Sequence, residues 1–356
     1  MTMRAAVRAV LMILTFGIVG CSTMPRVYRD DRPYPLHRMD ATDHGVVLRH
    51  GGGPDSCDVL GARDVWVFQT PEEFVMHYDG AGPRGWLAVR ARSKDLLTWT
   101  VDGPVLSFGV PGEPDDRSAS YGVTTFDGTT WHMFYLGTRF TSPAPDYIPS
   151  VPYVTLKAKA SSPEGPWIKQ PGVVPFQPVP GSYYESSASP GQIIRHKGEY
   201  LQFFSAAHGK HELKRTLGLA RTRHLDSAWV VDDHPVLPSE EQVENSSLYF
   251  EEANGYWFLF TNHVGLYDST DEYTDAIWVY WTKDPTKWDA RNKAVVLDRT
   301  NCRWSKRVIG LPSAVRIGDR LAVLYDGVEG EGTSHMKRDI GLAWLRLPLT
   351  PPGMEK

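Results

Sequence analysis

The sequence predicts an all-β protein: a single five-bladed β-propeller with four-stranded antiparallel blades and a ring closed by an N-terminal strand. Three observations lead to this prediction. The 32 glycines and 27 prolines are spread along the 356 residues, which suits many short strands joined by turns. One aromatic-rich strand pattern recurs five times, and a further strand precedes the first copy. Radial repetition of four-stranded units, each packed against its neighbours, is the propeller architecture.

The repeated unit begins with a hairpin. A short apolar strand leads through a polar turn into an aromatic-rich strand, as in Trp131-His-Met-Phe-Tyr-Leu-Gly137. The aromatic-rich strands of the five copies start at Phe74, Trp131, Tyr200, Tyr256 and Arg320. A third strand follows each hairpin, and in four copies a polar turn ending in tryptophan leads to a fourth strand. These tryptophans are Trp99, Trp167, Trp229 and Trp288.

The fifth copy lacks a fourth strand, because the repeat pattern ends near Leu347. The segment Gly45-Val-Val-Leu-Arg49, ahead of the first copy, can supply that strand and close the ring. The predicted propeller therefore spans residues 44–349, followed by a C-terminal tail over 350–356. We expect the protein to be a monomer.

Residues 1–20 have the pattern of a signal peptide. Arg4 and Arg8 precede an apolar run over 9–19 that is too short to span a bilayer. The run ends in Ile18-Val19-Gly20-Cys21, which resembles the lipobox of bacterial lipoproteins, so Cys21 is the predicted lipidation site and residues 21–43 are a predicted tether. By resemblance to lipoprotein sorting rules, Ser22 indicates lipid anchoring to the outer membrane of the cell envelope. An ordinary secretory signal with a chance cysteine is the alternative.

Two further cysteines, Cys57 and Cys302, precede the first strands of copies one and five. These copies are neighbours in a closed ring, and an exported protein folds in an oxidising compartment, so a disulfide is one expectation. Two buried free thiols are the other, and the sequence leaves both open.

Charge and motifs exclude several classes of function. The net charge is −4 and no basic run is long enough to neutralise a row of phosphates, so we expect no nucleic-acid partner. The sequence has no Gly-x-Ser-x-Gly nucleophile turn, no phosphate-binding Gly-rich loop before a helix and no paired Cys-x-x-Cys.

Two carboxylates start the first strands of copies one and four, in Asp64-Val65-Trp66-Val67 and in Glu244-Asn-Ser-Ser-Leu248. Together with the five repeats, these phrases resemble the five-bladed glycoside hydrolases of families 43, 32 and 117 and the related family 130 phosphorylases. In family 43, an Asp in an Asp-Pro-x-Val phrase is the general base and a Glu in a Glu-Gly-Pro-x-Leu phrase is the general acid. The resemblance implies that Asp64 is the base and Glu244 the acid, although Val replaces Pro in the first phrase and the second lacks Gly-Pro.

Two such carboxylates suit glycosidic cleavage, in which an acid protonates the leaving oxygen and a base or nucleophile acts on the opposite face. Turn capping and an ordinary solvated loop are the structural alternatives for Asp64 and Glu244. The resemblance implies an inverting reaction and a third carboxylate, which belongs where copy three has Ala188-Ser-Pro-Gly191. No acid is present there. Glu185 or Asp116 is a candidate substitute, and a surface-loop role is the alternative for each.

Further polar and aromatic residues fall at the same end of the predicted ring and are candidates for contact with a sugar. They are Trp86, Tyr121, His208, His263, Asp275, Arg338 and Asp339. The histidine spacings match no zinc signature, so we predict no catalytic metal and no cofactor. The resemblance allows a structural calcium on the ring axis, as in some relatives.

The predicted function is a glycoside hydrolase that acts on a carbohydrate at the cell envelope, with the membrane contacted through the lipid anchor. One alternative is a non-catalytic glycan-binding lipoprotein, which the missing third acid favours. The other is a phosphorylase, for which Lys214, Arg215 and Arg338 are candidate phosphate ligands.

Overall fold

The structure is a computed structural model that describes residues 34–209, 213–266 and 272–354. Within these ranges the chain forms 22 β-strands and two short 3-10 turns, Pro54–Ser56 and Ser239–Glu241, and no α-helix. The predicted all-β class is therefore confirmed. None of the described helical segments is long and apolar enough to cross a membrane. The predicted signal peptide and the predicted lipidation site Cys21 lie outside the described residues.

The described part of the chain starts with β1 (His37–Arg38) and β2 (Thr42–Leu48), whose partners come from the C-terminal half. The first two sequence copies then form two antiparallel groups of four strands. Group one comprises β3 (Gly61–Gln69), β4 (Phe74–Gly82), β5 (Gly85–Ser93) and β6 (Thr100–Pro104), and group two β7 (Ser118–Phe126), β8 (Trp131–Thr138), β9 (Val154–Ala160) and β10 (Ile168–Lys169). A short parallel pairing between β5 and β7 joins the two groups into one sheet.

The remaining three copies form three separate sheets. Group three comprises β11 (Ser187–Ser189), β12 (Ile193–His196), β13 (Glu199–His208), β14 (Lys214–Thr222) and β15 (Val230–Val231). Group four comprises β16 (Val243–Glu251), β17 (Tyr256–Leu266), β18 (Glu272–Thr282) and β19 (Lys293–Asp298), and group five β20 (Ile309–Ile317), β21 (Arg320–Gly327) and β22 (Asp339–Arg346). Both β11 and β12 pair with β13, so they are two halves of one interrupted strand. The N-terminal β2 pairs antiparallel with β22 and is the fourth strand of group five.

The hydrophobic core is divided among the interfaces between groups. Successive residues of a strand point to opposite faces of its sheet, and the aromatic-rich strands are apolar on both faces. In β13, for example, Phe203 packs towards group four and its neighbour Phe204 towards group two. Met133, Phe260 and Met76 belong to the clusters between groups one and two, four and five, and five and one. Each group therefore packs against two others.

The N-terminal boundary differs from the predicted one. Residues 34–43 were predicted as part of a tether, but β1 adds in parallel to the edge of β19. Arg38 donates two hydrogen bonds to the Asp298 carboxylate, at 3.1 and 3.2 Å. Ala41 is buried in the cluster between groups four and five. Because these residues find partners on the folded sheets, the packed part of the chain begins before residue 44.

The disulfide between Cys57 and Cys302 is not formed, and this expectation was wrong. Both cysteines are buried free thiols. Cys57 packs in the cluster between groups five and one, whereas Cys302 packs in the cluster between groups four and five. The Cys302 thiol instead lies 3.4 Å from the hydroxyl of Tyr325. Burial raises the pKa of Cys57 to about 11, so this thiol stays protonated at neutral pH.

Candidate functional site

The first strand is distorted in the same way in four of the five groups. A β-bulge shifts its register against the second strand in β3, β7, β16 and β20. In each bulge one residue has a left-handed backbone: Asp64 (φ 53°), Tyr121 (φ 43°), Asn245 (φ 60°) and Leu311 (φ 22°). In group three the corresponding strand is broken between β11 and β12. Bulges re-aim the side chains beside them, and strained backbone of this kind concentrates at functional sites.

The residues just before these distortions converge on two adjoining cavities of about 100 and 50 Å³. One residue per group occupies the equivalent position: Arg63, Ser120, Ser189, Glu244 and Gly310. All five line at least one cavity, and the two cavities share Arg63, Asp64, Glu244 and Asn245. Because every group contributes its equivalent residue, the cavities lie where the groups converge. We refer to the two together as the central cavity.

Asp64 and Glu244, the two carboxylates predicted to carry acid–base chemistry, both line the central cavity. Asp64 lies on β3 of group one and Glu244 on β16 of group four. The carboxylate of Asp64 is 3.0 Å from the guanidinium of Arg63, and that of Glu244 is 2.9 Å from Arg215. The two carboxylate side chains are 15% and 24% exposed, so a ligand or water in the cavity can contact them.

Tyr153 forms part of the cavity wall near both ion pairs. Its hydroxyl donates a 2.7 Å hydrogen bond to the carbonyl of Pro149, which also lines the cavity. Burial raises the pKa of Tyr153 to about 12; Arg63 and Arg215 oppose the rise, and the carboxylates of Glu244 and Asp64 add to it. The phenol is therefore a neutral group beside the two carboxylates.

Two further carboxyl groups, Asp79 and Asp326, lie directly against Asp64. Asp79 is on β4, opposite Arg63, and its carboxyl group is hydrogen-bonded to Asp64 and accepts the backbone N–H of Tyr121. Asp326 is on β21 and accepts the backbone N–H of Asp64 at 3.4 Å. The sequence analysis missed both residues. The available signal was the phrase Tyr-Asp-Gly, which ends the aromatic-rich strand in copies one and five.

The charge on these buried groups follows from their partners. Burial raises the pKa of Asp79 well above its ordinary value, and the Asp64 carboxylate adds to the rise against the opposing effect of Arg63. Burial also raises the pKa of Asp326, opposed first by Arg338, whose Nη1 lies 2.7 Å from the carboxylate. Arg338 is 3% exposed and lines the cavity. Burial lowers the pKa of Arg338, and the Asp326 carboxylate counters the effect.

His335 lies beside Arg63 and also lines the central cavity. Its Nδ1 is 2.9 Å from Nη1 of Arg63. Desolvation within the site and then the guanidinium groups of Arg63, Arg338 and Arg215 lower the pKa of His335 to about 2. The imidazole is therefore neutral at physiological pH and accepts a hydrogen bond from Arg63.

Three of the predicted sugar-contact residues line the central cavity: Trp86, Tyr121 and Arg338. Trp86 is fully buried, its indole N–H donates to the carbonyl of Asp146 at 2.9 Å, and the guanidinium of Arg63 lies 5.3 Å from its ring centroid. The guanidinium of Arg63 therefore packs over the ring of Trp86. Tyr121 is 2% exposed.

His263 and Asp275, two other candidates, lie inside group four and are not among the residues that line the central cavity. Nδ1 of His263 is 2.6 Å from the Asp275 carboxylate, and the imidazole stacks on Trp278 at a centroid distance of 4.1 Å. Both are essentially fully buried, at 0% and 1% exposure. His208 ends β13 and does not line the cavity either.

Asp339, Glu185 and Asp116 are also not among the residues that line the central cavity. Asp339 accepts hydrogen bonds from Arg49 at 3.1 Å and from the backbone N–H of His50 at 2.9 Å, which anchors the chain after β2. The carboxylate of Glu185 accepts the backbone N–H of Gly181, and that of Asp116 accepts the backbone N–H of Gly112. Each carboxylate therefore stabilises a loop.

The acids around the cavity do not fit a calcium site. In the described ranges, no group of three or more His, Cys, Asp or Glu side chains is arranged to hold a metal ion. Asp64, Glu244 and Asp326 each face an arginine at 2.7–3.0 Å. A guanidinium group occupies the oxygens that a cation needs as ligands.

The fold is similar to that of several glycoside hydrolases of solved structure. A family 117 glycoside hydrolase of the marine bacterium Zobellia galactanivorans is 16% identical, with a TM-score of 0.62 over 88% of this chain and 93% of that one. The catalytic domain of a family 62 α-L-arabinofuranosidase of Coprinopsis cinerea is 11% identical, with a TM-score of 0.61 over 86% and 97%. A thermostable family 43 glycoside hydrolase is 14% identical, with a TM-score of 0.58 over 86% and 100%.

No family model matches the chain, and no curated protein matches its sequence. The chain thus has the fold of propeller glycoside hydrolases at sequence identities that show the fold alone.

Proposed function

We propose that the chain is a glycoside hydrolase that cleaves a poly- or oligosaccharide with inversion, using Glu244 as general acid and Asp64 as general base. The observation that carries the proposal is that both carboxylates line one cavity at the convergence of the strand groups. The likeness of the fold to glycoside hydrolases of families 117, 62 and 43 supports it.

The reaction follows from the two carboxyl groups. Glu244 gives its proton to the glycosidic oxygen as the bond from that oxygen to the anomeric carbon breaks. A water molecule attacks the same carbon from the opposite face and loses a proton to Asp64, so the new C–O bond forms with inverted configuration. Asn262 donates to Glu244 at 3.4 Å and Arg215 lies at 2.9 Å, which orients the acid towards the cavity.

The arrangement of the groups supports this pairing. We propose that the five groups are the five blades of one ring, closed by the pairing of β2 with β22. A hydrophobic cluster lies between each successive pair of groups, including groups five and one. In such a ring the first and fourth blades approach the axis from different sides, so Asp64 and Glu244 flank a sugar bound between them.

Hydrolysis is a better fit than phosphorolysis. The cavity is lined by three arginines, Arg63, Arg215 and Arg338, which resemble a phosphate site. Each of them is paired with a carboxylate, at 3.0, 2.9 and 2.7 Å. The charges of Arg63 and Arg338 are therefore compensated by Asp64 and Asp326, and a phosphate would have to displace these carboxylates from their arginines.

The test is a screen of the purified protein against oligosaccharides and polysaccharides, with and without inorganic phosphate. We expect reducing sugar without phosphate, and proton NMR of the first product should show the inverted anomer. Glu244→Gln and Asp64→Asn should each lower turnover by about 10²- to 10⁴-fold, the range for loss of a general acid or base. Sugar phosphate as product would support the phosphorylase instead, and glycan binding without any product would support the binding protein.

Glu185→Gln is the matched control, because Glu185 lies outside the central cavity. It should keep the wild-type turnover, and all three variants should unfold at similar temperatures. A Glu244→Gln protein with full activity on a good substrate would rule out Glu244 as the acid.

We also propose that the protein acts at the cell envelope, anchored through lipid on Cys21. Its support is the lipobox-like phrase that ends at this cysteine. Labelling of cells with a fatty-acid probe should mark the wild type and not a Cys21→Ala variant.

A further inference from the structure

We propose that Asp79 is a positioning residue for the base: a neutral carboxylic acid that donates a hydrogen bond to the carboxylate of Asp64. The inference rests on the proposed function, because it assigns Asp79 a role through Asp64. It goes beyond the two-carboxylate mechanism by naming a third acid and the proton that it holds.

The geometry places Asp79 against Asp64 in the wall of the central cavity. Asp79 on β4 is the cross-strand partner of Arg63 on β3, and the bulge that follows Arg63 turns Asp64 towards the same point. Asp79 is 2% exposed. One of its oxygens, Oδ1, accepts the backbone N–H of Tyr121, and its carboxyl group is hydrogen-bonded to Asp64.

A hydrogen bond between two carboxyl groups requires a proton on one of them, because two ionised carboxylates are only acceptors. Like charges held this close repel, which is why paired carboxyl groups share one proton. Asp64 is the more exposed of the two, at 15%, and has the Arg63 guanidinium at 3.0 Å. The buried Asp79 lacks such an exposed face, so the proton resides on Asp79 and the charge on Asp64.

The equivalent position in group four supports this role. Asn262 on β17 is the cross-strand partner of Glu244, as Asp79 is of Arg63. Its amide donates to the Glu244 carboxylate at 3.4 Å. The same place in the repeated unit thus supplies each proposed catalytic carboxylate with a neutral hydrogen-bond donor, an amide in group four and a carboxylic acid in group one.

The other acid at this position has a different environment. Asp326 on β21 is the cross-strand partner of Gly310 and faces Arg338 at 2.7 Å. An arginine partner favours a charged carboxylate, whereas the carboxylate partner of Asp79 favours a protonated one. Asp79 and Asp326 have the same place in the repeat, so the difference in their protonation follows from their neighbours.

The first experiment detects the proton on Asp79 directly. Infrared spectra of the full-length wild type and of an Asp79→Asn variant, in deuterated buffer at neutral pH, are subtracted. In the difference spectrum, the wild type should show the carbonyl stretching band of a protonated carboxylic acid that the variant has lost. A proton on the general acid Glu244 contributes equally to both proteins and cancels. An Asp116→Asn variant, altered in a loop outside the central cavity, should keep the band. A difference spectrum without this band would overturn the proposal whether or not the protein is a hydrolase.

The second experiment compares two replacements at position 79. The Asp79→Asn amide still donates to Asp64, so kcat should fall only a few-fold. Asp79→Leu removes the donor, and kcat should fall by about 10- to 100-fold with little change in KM, as expected for loss of a hydrogen bond to a charged group. Equal losses in the two variants would contradict the donor role. Absence of activity in the wild type would count against the proposed function and leave the infrared result as the test of Asp79.

Discussion

The hydroxyl of Tyr121 is a buried polar group without a partner in the part of the chain that the structure describes. Tyr121 lines the central cavity at a bulge with left-handed backbone, and its backbone N–H donates to the carboxyl group of Asp79. A buried hydroxyl without a partner costs free energy, which a ligand hydroxyl in the cavity can recover by hydrogen bonding. Under the proposed function, that ligand hydroxyl belongs to the sugar.

We expect Tyr121→Phe to lower kcat/KM by about 10-fold, the effect of one lost hydrogen bond to the substrate. The free protein should be as stable as the wild type or more stable, because the variant removes an unpaired buried hydroxyl. Steady-state kinetics measures the change in kcat/KM, and thermal unfolding measures the change in stability. Tyr147→Phe, in the loop between β8 and β9, is the control. An unchanged kcat/KM in Tyr121→Phe would remove this residue from the substrate site.

Among single residues, the catalytic candidates that the sequence predicted and that line the cavity are those near the start of a first strand. Asp64 and Glu244 stood out because the resemblance concerns that position in copies one and four. Asp79 and Asn262 did not, because they lie within second strands and come to Arg63 and Glu244 only through cross-strand register. Register across a bulge depends on backbone geometry that no local sequence pattern specifies.

At the scale of strands, the repeated pattern predicted the hairpins well. The aromatic-rich strands β4, β8, β13, β17 and β21 start at or within one residue of the predicted positions. The short β1 escaped prediction, because two residues give no periodicity and their pairing depends on a β19 edge far away in sequence.

The docking of β1 has a pH dependence that can be measured. Burial opposes ionisation of Asp298, but hydrogen bonds from Arg38 and Thr300 outweigh it and lower the pKa to about 2. A carboxyl group with a lowered pKa in the folded state stabilises the fold above its unfolded pKa of about 4 and loses this contribution as the pH falls towards 2. The loss corresponds to at most about 2 kcal/mol.

The free energy of unfolding of the wild type, measured by denaturant titration from pH 6 to pH 2, should therefore fall more steeply than that of Asp298→Asn. The two curves should converge towards pH 2, where the wild-type carboxylate takes up its proton. Asp55→Asn, at an exposed turn, should follow the wild type throughout. Parallel curves for wild type and Asp298→Asn would show that the Arg38–Asp298 pair does not stabilise the fold.

At the scale of the whole molecule, the pairing of β2 with β22 joins the two ends of the folded chain. Leu48 is 5% exposed and packs with Leu324 and Leu342 of group five and with Val67 of group one. Without β2, the backbone groups of β22 form an unpaired edge and the interface between groups five and one opens. The pairing of β2 with β22 therefore stabilises both ends of the repeat array. About 290 residues of sequence separate these two strands.

A series of N-terminal truncations tests this closure. A protein that starts at residue 34 should unfold cooperatively with the stability of the full-length chain, and one that starts at residue 42 should lose only the contribution of β1. A protein that starts at residue 49 lacks β2, and we expect it to lose most of the 5–15 kcal/mol typical of a folded domain and to aggregate through the open edge of β22. Tryptophan fluorescence in denaturant and light scattering provide the measurements. A cooperative transition at an unchanged denaturant concentration in the protein that starts at residue 49 would show that the interface between groups five and one does not depend on β2.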